Sequence, residues 1–302
     1  MDKITLESDV LGKITGLDVS MLQEYPFFLL TQPPNNSVSV SASQSSQANI
    51  MAVSGDGPII VVAMGIKSTG TCLISLSIQD GGSQRALMNG NCESSIIFGS
   101  AGKPYYLPAP LFVPENKNVV ARITDTSGST NNVRISMWGL RITRKTLDLY
   151  QKIAKSREGE RQYLTTPYFY TMKPTNNSSA KIGALRLSAL GSSTQAIDIG
   201  GGNHFQMLTL SRTSTGAFTL QINEAATGET LINAPQGQTY AIRDELLCGN
   251  GQFPYRMPWP RTFKAGSKLI LTLTDLSNAN NDIYLVIGGR NIATRLNNRG
   301  KD

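Results

Sequence analysis

Histidine is nearly absent: His204 is the only one in 302 residues, so imidazole chemistry has one place to occur. A Ser-His-Asp arrangement would have to be built on it, yet it sits in GGGNHFQM with no G-x-S-x-G nearby. The three glycines before it read as a loop. Cysteine is scarce too: Cys72, Cys92 and Cys248 are widely spaced, without a C-x-x-C pair. Structural zinc takes four Cys or His ligands at short spacings, and no such set is present. The cysteines read as reduced, buried thiols of a protein assembled in a cytoplasm. No apolar run approaches eighteen residues; the richest, PIIVVAMGI (58–66), has strand length, so no membrane helix is expected. No apolar run of signal-peptide length follows the acidic residues near the start, and no export is expected. Charged residues make up only 16% against 40% hydrophobic, which excludes general disorder and points to a globular chain.

What the sequence does have is a repeat. Residues 99–142 align with 249–292 without a gap at an offset of 150, and 11 of the 44 columns are identical. Tyr105 matches Tyr255, Asp125 matches Asp275, Asn131 matches Asn281, and Gly139 matches Gly289. Upstream, YPFFLLTQPPNNS from Tyr25 matches TPYFYTMKPTNNS from Thr166. Between these blocks, STG recurs at Ser68 and Ser214, and RALMNG from Arg85 matches ETLINA from Glu229. The order is kept throughout, so two copies of one domain are expected, the second longer in its loops. Both copies are rich in β-branched, alternating segments such as NVVARITDTSG and KLILTLTDLSN. Asp125 and Asp275 fall where a strand gives way to a Ser/Asn/Gly turn, a place where an Asx side chain binds the turn's own backbone.

Each copy also carries P-Y-x-x-P-x-P, within GKPYYLPAPLFVP (102–114) and QFPYRMPWPRTFK (252–264). Proline cannot donate to a ladder, so the segment reads as an extended edge or a polyproline-like crossover that keeps the chain straight without pairing. It is either a rigid connection between sheets or a docking ridge for another subunit through Tyr105, Tyr255 and Trp259.

The fold class expected is therefore all-β: two tandem antiparallel β-sandwich or jelly-roll domains from an internal duplication, joined by one amphipathic helix. The divisions are an arm at 1–22, a first sandwich at 23–143, a linker helix at 144–165, a second sandwich at 166–292 and a basic tail at 293–302. The helix is read from Leu147, Tyr150, Ile153 and Ala154 on one stripe, with Gly159 as a stop.

Charge is unevenly placed. Residues 141–161 carry a net +4 and residues 290–302 a net +3, which together account for the whole net charge of +7. Both segments follow the last strand of a copy. They are either solvated surfaces or contacts to a polyanion, packaged nucleic acid or an anionic membrane surface, through Lys152, Lys155, Arg157, Arg295 and Arg299. No nucleic-acid-reading motif accompanies them.

No active site emerges. Asp80, Asp125, Glu224 and Asp275 are the carboxylates of the β regions, but each lies at a strand-to-turn junction where a structural role suffices. GDG at Gly55 and GGG at Gly200 lack the strand, helix and lysine of a phosphate cradle. Neither a catalytic residue, nor a metal, nor a cofactor, nor a small-molecule substrate is expected, and the reading is of a protein that is not an enzyme.

The succession of a Pro-aromatic-Phe strand, STGAFTLQI, LINAP, PYRMPWP and LTDLSNANNDIYLVIGGRNI resembles a β-sandwich module of bacteriophage virion proteins. The plan of two barrels around a helix is similar to double jelly-roll capsid proteins. The first copy departs from the pattern, with Cys72 in place of Phe218 and Trp138 in place of Gly288. The resemblance implies a structural protein of a phage virion, a homo-oligomer in the capsid shell in contact with other virion proteins, assembled in the host cytoplasm. The rival reading is a host- or carbohydrate-binding β-module of a tail, neck or fibre, with Trp259 and Tyr255 as sugar platforms. A third, a hydrolase, survives only through His204.

Overall fold

The alternating segments become strands with alternating burial. Along β15 (Phe218–Glu224), Phe218, Leu220, Ile222 and Glu224 are buried, while the residues between them are half-buried. The computed structural model describes residues 26–30, 37–55, 57–80, 82–100, 102–141, 166–175, 180–231 and 241–293. The arm at 1–22, the joining helix and the basic tail beyond Ala293 lie outside the described residues.

The first lobe contains β1 (Pro26–Leu30), β2 (Val38–Val40), β3 (Ser45–Ala52), β4 (Ile59–Ser68), β5 (Cys72–Asp80), β6 (Ser83–Ala86), β7 (Cys92–Glu93), helix α1 (Ser94–Ile97), β8 (Tyr105–Val113), β9 (Asn118–Asp125) and β10 (Asn131–Arg141). The second contains β11 (Thr166–Thr171), β12 (Leu185–Leu187), β13 (Ser192–Asp198), β14 (Asn203–Ser214), β15, β16 (Ile242–Arg243), helix α2 (Asp244–Leu247), β17 (Tyr255–Phe263), β18 (Lys268–Asp275) and β19 (Asn281–Ala293).

The strands form four antiparallel sheets, two per lobe. In the first lobe the orders are β1-β10-β4-β8, with β2 also on β10, and β3-β9-β5-β6, with β7 also on β5. In the second they are β11-β19-β14-β17, with β12 on β19, and β13-β18-β15-β16. Apart from β6, which has no counterpart strand among the described residues of the second lobe, the sequence of pairings is the same in both, and so is the register. Pro26 faces Leu140, and Pro167 faces Arg290, 150 residues further on. Cys72 lies opposite Asp125 as Phe218 lies opposite Asp275. The duplication is thus a duplication of topology. Two sheets close over one core in each lobe: Phe205, Leu220, Leu271 and Ile283 represent the second. Burying each such side chain contributes about 1.5–3 kcal/mol.

The identical columns of the repeat turn out to be fasteners. Asp125 accepts the backbone N–H of Ser43, Ser127 and Gly128 and the Ser127 hydroxyl. Asp275 accepts from Leu190 N, Ser277 N and the Ser277 hydroxyl. Asn131 Oδ1 takes Thr69 N and Gly70 N, and Asn281 Oδ1 takes Gly216 N, so each asparagine ties the β10 or β19 start to the turn between β4 and β5 or between β14 and β15. Gly139 and Gly289 sit at bulges, where a Cβ would lie 2.1 Å from Ile60 O and from Gln206 O respectively. Only a residue without a side chain allows that approach.

The proline segments are edge strands, β8 and β17, but they do pair. The β8 ladder runs from Ile59↔Val113 to Val61↔Leu111, then resumes at Ala63↔Tyr106 and Met64↔Tyr105. The β17 ladder skips in the same way between Met207↔Arg261 and Thr209↔Arg256. Residues 107–110 and 257–260 form the skipped stretch, and Pro108, Pro110, Pro258 and Pro260 all lie in it. Expecting an unpaired segment was therefore wrong at its ends and right in its middle, where a missing N–H costs the ladder nothing.

Candidate functional site

The two lobes meet along a buried, largely apolar seam. The core of the first lobe continues into the second through Phe169, Ala184, Tyr284 and Val286. Residues 87–89 run beside the outer edge of β11: Phe169 N donates to Leu87 O at 3.0 Å, and Asn89 N donates to Phe169 O at 3.2 Å. The Asn89 side chain completes the clasp, its Oδ1 accepting Thr171 N at 2.7 Å and its Nδ2 donating to Thr171 O at 3.1 Å. Helix α1 follows, with Glu93 capping it by accepting Ser95 N. Gly251 N then donates to Ser95 O at 2.9 Å, in a fit so close that a Cβ on Gly251 would lie 2.2 Å from that oxygen.

Burial shifts the titratable groups along the seam toward their neutral forms. Burial pushes the Tyr105 hydroxyl up to about 12, partly offset by its contact with Thr209, and pushes Tyr284 up to about 12. Burial also raises Glu93, against the hydrogen bonds from Ser95, and the Cys92 thiol. Such an environment favours permanent apolar contact over charge.

Tyr105 belongs to this seam. It is buried, its hydroxyl lies 3.4 Å from Thr209 Oγ1, and its ring is 6.1 Å from that of Phe169. Its expected place on a contact with another subunit is corrected accordingly: it joins the lobes of one chain. Tyr255 is half-buried, and Trp259 stands out, 83% exposed. Leu246 on α2 and Phe253 are also exposed, at 71% and 57%. The sequence reading missed both. No sequence signal marks Leu246: its counterpart in α1 is Ile96, an equally apolar residue that is fully buried. Lys152, Lys155, Arg157, Arg295 and Arg299 lie outside the described residues.

His204 is not in a loop. It lies in β14 opposite Ile292, and its Nδ1 accepts Ala265 N at 3.0 Å, a bond that fastens the β17–β18 turn. Glu224 is spent on its own turn, accepting from Thr227. Of the three cysteines, Cys72 and Cys92 are buried and Cys248 half-buried. Among the described residues no cluster of three or more His, Cys, Asp or Glu is gathered to hold a metal, and no helix is long and apolar enough to cross a membrane.

No protein-family model and no curated protein matches the chain. Among solved structures it is similar to PNGase F, a glycosylasparaginase from Flavobacterium meningosepticum, with 11% identity and a TM-score of 0.38 over 88% of this chain and 96% of that one. It is also similar to a triple jelly-roll protein of an archaeal virus, with 11% identity and a TM-score of 0.27 over 90% and 60% of the two chains. The exported protein XepA of PBSX follows, with 10% identity and a TM-score of 0.26 over 92% and 87%. These likenesses concern the plan of the fold alone. They do correct one expectation: the sequence was read as excluding an enzyme, and a fold neighbour that is an enzyme removes that exclusion.

Proposed function

We propose that this chain is a structural protein of a virion, a shell component that assembles through repeated contacts between its β-sandwich lobes. The phage context comes from the motif resemblance in the sequence. The observation that carries the assembly reading is the seam: the core of one lobe runs on into the outer face of the next, through Phe169, Tyr284 and Val286. A lobe of this design has a surface made to receive another lobe, and rigid modules that receive one another are what a shell needs.

Trp259 is also a surface a glycan-binding module would present, and binding of the isolated protein to host cells or a glycan array would favour that rival. Quantitative mass spectrometry of purified particles tests the main reading. Hundreds of copies per particle are expected; about a dozen would place the chain at a vertex or neck, and none would overturn the proposal.

A further inference from the structure

We infer that the α2/β17 face of the second lobe docks on the first lobe of a second copy of this chain, repeating between chains the head-to-tail contact that joins the lobes within one. This rests on the assembly reading above and specifies which surfaces meet.

The lobes are built alike but meet through unlike surfaces. The first contributes residues 87–89, α1 and Tyr105; the second contributes β11, Thr209, Tyr284 and Val286. A contact of this kind leaves one surface of each type unused. On the second lobe the unused surface is that of α2 and β17, the counterparts of α1 and β8. On the first lobe it is the outer face of β10 and β1, the counterparts of β19 and β11.

Burial at equivalent positions shows what covering this surface does. Ile96 is fully buried, while Leu246, 150 residues on in the same turn of helix, is 71% exposed. Ala109 is 1% exposed, while its counterpart Trp259 is 83% exposed. Here leucine stands for isoleucine, and the largest apolar side chain stands for alanine. Exposed apolar groups of this size, at positions whose counterparts are buried at the seam, mark a protein contact.

The geometry of the internal contact also bears on whether it can be repeated. The Lys103 ammonium lies 4.2 Å over the Phe253 ring, and Arg256 Nη2 donates to Tyr106 O at 3.5 Å. Lys103 and Phe253 are counterparts, and so are Tyr106 and Arg256. Counterpart positions therefore meet one another at this part of the seam. Trp259, six residues on from Phe253, is exposed in the single chain. The edge of β11 is closed by residues 87–89, whereas β1, its counterpart, pairs only with β10 among the described residues.

Full-length chain with a photo-crosslinking amino acid at position 246, mixed from light and isotopically heavy preparations, tests this. Cross-links between a light and a heavy chain, from 246 to the first lobe around Arg134 and Ser136, are expected. Cross-links to the second lobe of the partner, or an associated species that gives none, would overturn the head-to-tail contact and leave the assembly reading standing. In sedimentation velocity, Leu246→Asp and Trp259→Asp should each weaken self-association by about thirtyfold or more, the scale of losing a central interface anchor. Their thermal melting should be unchanged because both side chains are exposed in the single chain. Association equal to wild type in both variants would again remove the head-to-tail contact. A wild-type chain that stays at 32.6 kDa at every concentration would remove both proposals.

Discussion

Asp125 reaches back 82 residues to hold Ser43, accepting its backbone N–H at Oδ2 over 2.9 Å. Ser43 has a φ of 56°, in the left-handed region, and its counterpart Leu190, at 53°, is held by Asp275 in the same way. A non-glycine residue in that conformation carries a cost of about 1–2 kcal/mol, so each aspartate pins a turn that would otherwise relax. Burial alone would raise the Asp125 carboxyl; the hydrogen bonds from Ser43, Ser127 and Gly128 overcome it and lower the group from 3.8 to about 2. Asp275 is lowered as well, burial again being outweighed by bonds from Leu190, Asn281 and Ser277.

A carboxylate lowered in the folded state stabilises the fold above its unfolded pKa and loses that contribution as pH falls through the folded value. Thermal stability should therefore drop between pH 3.8 and about 2. Asp125→Asn should melt lower than wild type at pH 7 and respond less to pH within that window. Parallel melting curves for the two proteins across the window would refute the assignment.

The bulge glycines should be intolerant of any side chain. Gly139→Ala and Gly289→Ala each place a methyl carbon 2.1 Å from a neighbouring backbone carbonyl, which cannot rotate away. Each should cost about 2 kcal/mol or more, read as a lower urea midpoint with an unchanged slope. Gly102→Ala, where a Cβ meets nothing within 4 Å, is the matched control and should be near neutral.

The Asn89 clasp should be worth more than a surface hydrogen bond. Asn89→Ala strands the buried Thr171 N–H and should destabilise by about 2 kcal/mol. A double-mutant cycle with Thr171→Val should give a coupling of about 1 kcal/mol through the Thr171 hydroxyl, which also donates to Asn89 Oδ1 at 3.1 Å. Additive losses would mean that the two residues act independently.

The basic segments carry a proposal that rests on charge alone. Binding of nucleic acid or anionic vesicles through Lys152, Lys155, Arg157, Arg295 and Arg299 should be independent of sequence and fall steeply with salt. A filter-binding titration should show a shallower log-log salt slope for the triple variant Lys152→Ala, Lys155→Ala, Arg157→Ala. Equal affinity and equal slope in the two proteins would rule the contact out.

Much of each lobe could be read locally. Strand alternation, the turns at Asp125 and Asp275, and the column matches of the repeat depend on near neighbours in the chain, where residue type and conformation are tied directly. The bulges at Gly139 and Gly289 were marked by identity, though not their reason, which lies in the carbonyls of Ile60 and Gln206 across the sheet. His204 was read as a loop from its glycines, and the pairing with Ile292, 88 residues away in sequence, overrode that local signal.

Burial by a second lobe leaves no period in a sequence. Ile96 and Leu246 occupy the same place in the same short helix, and Tyr105 and Tyr255 the same place in the same proline segment. In each pair the first residue is buried, while Leu246 is exposed and Tyr255 half-buried. Residue type and spacing determined that both copies would build the same sandwich, because hydrophobic alternation and turn chemistry act within one lobe. Only the tertiary structure decided which face of one lobe covers the other, because a heterologous contact gives identical positions different surroundings.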